Sequence, residues 1–124
     1  MAYEIPVLVA SFEANADLSA KQYRAMKMAT GGKVDVFSGA TDVFIGVLQN
    51  KPTSGQTAEV MLFGISKVDS DAALAVGDII AGQTDGQFEV ADAGDYVAGQ
   101  VVLASGAAGE LASAVIMPGH IAKA

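Results

Sequence analysis

The 124-residue chain holds few residues of the kinds that make and break bonds. His120 is its single histidine. A histidine acting as general base needs a nucleophile and an orienting carboxylate within reach, and nothing near Gly119-His120 in the sequence supplies them. Asp69, Asp71 and Asp78 bring carboxylate oxygens close together, but a calcium loop needs further ligands in a set order and a late bidentate glutamate. Turn formation and capping suit these aspartates better. Thr30-Gly31-Gly32-Lys33 lacks the earlier glycine of a phosphate-binding loop, and Val34 stands where that loop requires Ser or Thr. Ser19-Ala20-Lys21 has the wrong spacing for a serine–lysine pair, and no Gly-x-Ser-x-Gly elbow occurs. There is no cysteine, which excludes disulfides, thiolate catalysis and Cys-based zinc sites. No cofactor and no catalytic residue is expected, and the chain is read as a binding protein rather than an enzyme.

The partners are bounded by charge. Seven Lys and Arg face fourteen Asp and Glu, a net charge of −7. Nucleic-acid binding needs cationic side chains to displace counterions from phosphates, so direct contact with DNA or RNA is not expected. Apolar residues make up 52% of the chain and charged residues only 17%, against about 25% charged in typical soluble domains. Two explanations are compatible: a compact β body built from small side chains, and apolar surface covered by a partner. Glu4 stands where a secretion signal would be positive and Pro6 interrupts the first apolar run, so no signal peptide is expected. No apolar stretch approaches the ~18 residues of a membrane span.

The elements that position these residues are strands. Residues 1–20 are read as an N-terminal arm and 21–124 as one β domain. In the arm, Tyr3, Ile5, Val7 and Val9 alternate with Glu4, Pro6, Leu8 and Ala10, and Phe12 follows. Pro6 has no N–H to give, which argues against a central strand. The segment is either a mobile terminus or an arm that docks on a neighbour. Strands are expected over 22–28, 34–36, 43–48, 58–68, 79–81, 87–90, 96–103 and 111–117. Turns are expected at Thr30–Lys33 and Thr84-Asp85-Gly86, a bulge or close approach at Gly64, and one short helical turn over 72–76, capped by Asp69 to Asp71. Met26, Met28, Met61 and Met117 lie on these strands as core filling.

One pattern recurs. Ile45-Gly46-Val47-Leu48 with Gly55 beyond it is echoed by Ala98-Gly99-Gln100-Val101 with Gly109, at spacings of 53 and 54 residues. A duplicated hairpin and convergent turn chemistry both account for it.

Asp17-Leu18-Ser19-Ala20-Lys21-Gln22-Tyr23, the octapeptide Ile45-Gly46-Val47-Leu48-Gln49-Asn50-Lys51-Pro52 and Gly64-Ile65-Ser66-Lys67-Val68 resemble the capsid cement, or head decoration, proteins of tailed bacteriophages. The likeness continues through Ala75-Val76-Gly77-Asp78, Asp85-Gly86 and Val101 to Glu110. Gly99-Gln100-Val101 departs from the small-residue pattern usual there. The resemblance implies a small β-barrel or β-sandwich-like body with an extended N-terminal arm. It also implies attachment to the outer head surface of a virion assembled in the bacterial cytoplasm. The partner would be the major capsid protein, with homotrimers at three-fold and quasi-three-fold positions. On this reading Tyr3, Ile5, Val7, Leu8, Val9 and Phe12 contact the capsid or a neighbouring subunit. A tail-tube subunit is the alternative virion role. A biotinyl-type carrier barrel is a further alternative, against which the Asp85-Gly86 tip lacks the lysine such barrels modify.

Overall fold

The computed structural model describes residues 2–39 and 42–117. The expected Pro118-Gly119 stop and His120 lie outside them. The fold is all-β, with two 3-10 turns at Thr30–Gly32 and Thr84–Gly86 as its helical content among the described residues. The strands are β1 (Ile5–Ala14), β2 (Ala25–Met28), β3 (Lys33–Val36), β4 (Gly46–Leu48), β5 (Thr57–Asp69), β6 (Ile79–Gly82), β7 (Phe88–Val90), β8 (Gly99–Leu103) and β9 (Leu111–Ile116). They form one mixed sheet in the order β1-β3-β2-β4-β5-β9-β8-β6-β7, with a further pairing between β1 and β5.

That further pairing closes the sheet on itself. β1 runs parallel to β3 at Glu13–Lys33 and Ala14–Val34, and antiparallel to β5 from Ile5–Ile65 to Glu13–Thr57. Strands β1, β3, β2, β4 and the first half of β5 therefore make a first barrel. A second closes in the same way. Ser70, one residue past β5, bridges Phe88 of β7 in parallel, and the second half of β5 pairs antiparallel with β9. Strand β5 serves as the last strand of one barrel and the first of the other.

The two barrels share their wiring. β2–β3, β2–β4 and β4–β5 pair antiparallel, as do β6–β7, β6–β8 and β8–β9. Left-handed residues fall at matching places: Tyr23 and Gly77, Gly31 and Asp85, Gly32 and Gly86, Gly55 and Gly109. Backbone bonds match as well. The Phe37 N–H donates to Ala25 O and the Ala91 N–H to Ile79 O; the Ala14 N–H donates to Gln56 O and the Ser70 N–H to Glu110 O. Convergent turns would not reproduce pairing, handedness and turn position together, so the recurring sequence pattern marks an internal repeat of about 54 residues. Gly46 and Gly99 are needed where they stand: a Cβ on either would collide with a backbone carbonyl, that of Met61 or of Val115.

Small barrels have narrow interiors, which explains the alanine content. Ala14, Leu18, Met26, Val34, Leu48, Ala58 and Val60 fill the first barrel. Ala98, Ala112, Ala114, Val101, Ile116 and Phe88 fill the second, continuous with Phe37, Phe44 and Val47 between the two. Phe44 meets Phe37 and Phe88 edge-on, with ring centroids 6.2 and 6.1 Å apart, a geometry favoured by the ring quadrupoles.

Several expectations need correction. The strands expected over 43–48 and 96–103 begin only at Gly46 and Gly99. The strand expected over 22–28 begins only at Ala25, because Tyr23 adopts φ 66° and turns its N–H to Leu48 O at 2.7 Å. Residues 72–76 form no helical turn: Leu74 is buried and bridges Ser105, and the Asp78 carboxylate accepts the Ala75 N–H at 2.8 Å. Met26 and Met61 are core residues, but Met28 and Met117 are exposed.

Candidate interaction surface

Strand β1 places the apolar residues of the N-terminal segment. Its C-terminal end is a wall of the first barrel: Ala14 is buried and Phe12 packs against that core. Further back the strand runs along β5 toward the second barrel. There the Tyr3 N–H donates to Ser113 Oγ at 2.7 Å and the Ser113 hydroxyl donates to Tyr3 O at 2.9 Å. Successive side chains of a strand point to opposite faces, so a strand lying on a body buries every second residue. Residues 5–9 do not follow that rule, because Ile5, Pro6, Val7, Leu8 and Val9 are all exposed, Val7 at 67%. Both faces of this stretch are open.

One edge is open too. β5 pairs with one side of β1, while on the other side β3 reaches only Glu13 and Ala14, and no other strand among the described residues pairs with β1. Register shifts between Pro6 and Leu8 and between Leu8 and Val9 interrupt the pairing of β1 with β5. Pro6 is tolerated because it sits at such an irregularity on an edge. Gly64 opposite Pro6 is a close-approach point: it has φ 132°, and a Cβ there would lie 2.7 Å from Ile5 O. Phe63 pairs with Leu8 and is itself 47% exposed. The surface thus comprises Tyr3, Ile5, Val7, Leu8, Val9 and Phe63. Phe63 is missed in the sequence although period-two counting along β5 puts it on the outward face with Glu59, Ile65 and Lys67; an aromatic side chain in an apolar run reads as core.

An open cleft of about 380 Å³ lies at the other end of β1, lined by Ser11, Phe12, Glu13, Gly32, Gly55, Gln56 and Thr57. Lys33 Nζ lies 3.2 Å from Glu13 Oε2, with both side chains substantially exposed.

The remaining polar candidates have structural duties. Asp69 is held by Arg24 at 3.0 Å and accepts a hydrogen bond from Gln87 at 3.3 Å. Asp85, at the β6–β7 tip, pairs with Lys21 at 3.0 Å, and this contact holds its carboxyl below the usual range. Glu89, Asp92 and Asp95 gather their carboxylates within 4.8 Å of one another. The Asp95 carboxylate accepts the Asp92 N–H and so shapes the 92–95 turn. Burial, followed by the charges of Asp92, Asp95 and Asp71, pushes the Glu89 carboxyl up.

No protein-family model matches the chain, and no curated protein matches it in sequence. Among solved structures the chain is similar to one described as the head fiber gp8.5 N base in bacteriophage phi29. Identity is 18%, the TM-score is 0.72, and the match covers 92% of this chain and 97% of that one. The likeness establishes a shared fold.

Proposed function

We propose that this chain is a structural protein of a tailed-bacteriophage virion that attaches to the outer surface of the head and reinforces the lattice of the major capsid protein. The carrying observation is the uncovered stretch of β1, where five consecutive residues, four of them aliphatic, face solvent beside Phe63. Fully burying one Val, Leu or Ile stabilises by roughly 1.5–3 kcal/mol, so a partner covering several of them gains enough to bind. An acidic chain suits the outside of a DNA-filled shell. The resemblance of Ile45–Pro52 and its neighbours to head decoration proteins points the same way, and so does a fold shared with a phage head-fibre base.

On this reading the protein works by binding, with Tyr3, Ile5, Val7, Leu8 and Val9 in contact with the capsid and Phe12 anchoring the strand from inside. Homotrimers at three-fold and quasi-three-fold positions would let each copy's weak contact add to the others. The test mixes purified protein with undecorated heads and images the particles. Density on the outer head face supports the reading. Density on tails, or bare heads at saturating protein, overturns it.

A further inference from the structure

The internal repeat gives every surface of the first barrel a counterpart on the second, and the Glu13–Gly32 end of the cleft has one that is occupied, while Gly55 and its counterpart Gly109 are both open. Glu13, Lys33, Gly31, Gly32 and Gly55 correspond to Asp69, Gln87, Asp85, Gly86 and Gly109. In the second barrel Arg24 occupies the place. Its Nε lies 3.0 Å from Asp69 Oδ2 and its Nη1 donates to Asp85 O at 3.1 Å. Arg24 comes from the first barrel, so this contact is one module reaching into the next. The glycines record the difference. A Cβ on Gly86 would meet Val36 Cγ2 at 2.5 Å and Arg24 Cβ at 3.0 Å, whereas a Cβ on Gly32 would meet nothing within 4 Å.

The geometry points to the first-barrel cleft as a receptor for an arginine side chain presented on an extended segment of a partner protein. Glu13 Oε would take the guanidinium and the Gly31 carbonyl a second N–H, as Asp69 and Asp85 do for Arg24. A guanidinium suits this pair because its rigid fork of donors serves a carboxylate and a neighbouring carbonyl together. Three of the five pairs differ, Glu13 with Asp69, Gly31 with Asp85 and Lys33 with Gln87; the Asp85 carboxylate is taken by Lys21, and Lys33 is the change that bears on the Glu13 charge. Where neutral Gln87 leaves the Asp69 charge to Arg24, Lys33 shares Glu13, through an exposed contact of a kind that costs little to give up. That the arginine belongs to the capsid lattice rests on the function proposed above; the chemistry of the cleft does not.

The full-length protein is titrated with the capped tetrapeptide Tyr-Arg-Ala-Met, the sequence of residues 23–26, and followed by amide NMR. The expected result is saturable shifts at Gly32, Gly55 and Thr57 at about millimolar peptide, absent with a peptide carrying citrulline, the uncharged isostere, in place of arginine. Glu13→Gln should weaken binding about tenfold, close to the lower end of what a charged hydrogen bond contributes, and Lys33→Gln, which copies the occupied site, should strengthen it about threefold, the scale of an exposed ion pair. Equal shifts with the citrulline peptide, no shifts with either, or weaker binding by Lys33→Gln would overturn the inference. The same two variants are then assayed on heads. Head binding unchanged by both variants, with tetrapeptide binding changed as expected, would reject the capsid as the source of the arginine and leave the cleft's specificity standing.

Discussion

The two barrels are built to one plan, yet they differ in what covers their first strand. In the second barrel that strand is the latter part of β5. Residues 61–65 lie between β1 on one edge and β4 and β9 on the other, and only Phe63 among them is exposed. In the first barrel the corresponding residues are Ile5 to Val9 of β1, equally apolar and all exposed. Apolar side chains in a covered strand are explained by folding. In an uncovered strand of the same plan they contribute little to the fold, and an exposed apolar patch of this kind marks an interaction site. The comparison turns an unexceptional hydrophobic segment into a candidate docking surface, and it identifies the Glu13 cleft by the same logic.

Substitutions at equivalent positions test the contrast most strongly. Met61→Glu places a charge inside the body and should cost several kcal/mol, enough to unfold a marginal domain in a thermal melt. Ile5→Glu, at the matching place on β1, should change stability by no more than about 0.5 kcal/mol while removing head binding. A similar melting point for the two would remove the distinction. The cores offer a second comparison: Phe88→Ala should cost about 3–5 kcal/mol, while Val34→Ala at the matching strand position of the first barrel should cost less, by urea denaturation. Arg24→Ala breaks a half-buried ion pair and should cost about 1.5–3 kcal/mol, whereas Lys33→Ala at the open cleft should cost less than about 1 kcal/mol.

The smallest effect concerns pH. The Glu89 carboxyl is raised in the folded chain, so the folded state holds its proton more tightly than the unfolded state. Stability from this group is present below its unfolded value and is lost as pH rises through the folded value. Glu89→Gln should therefore stabilise slightly at pH 7, by less than about 1 kcal/mol, and the gain should vanish in acid. Melts of the variant and parent at the two pH values check this.

The sequence made the hairpins and turns legible because their signals are local. Asp85-Gly86 and Gly31-Gly32 sit at left-handed positions, and Val47 and Leu48 are buried as a strand apolar on both faces should be. The double closure was not legible. β5 appears in sequence as one long strand, and nothing in its alternation tells that its two halves face different interiors. Tyr23 hid a turn, since a tyrosine gives no hint of the left-handed backbone that Gly77 adopts openly at the matching site. The aliphatic content of the N-terminal segment points to docking. The structure adds that its last residues wall the first barrel, with Ala14 and Leu18 in that core. Deleting residues 1–16 would therefore open the barrel, and point substitutions on the exposed face are the cleaner probe.

The most direct measurement is co-sedimentation of undecorated heads with the parent chain and with an Ile5→Glu, Val7→Glu double variant that melts like the parent. The account predicts that the parent pellets with heads to saturation and the variant stays in the supernatant. Equal pelleting of the two proteins would contradict it.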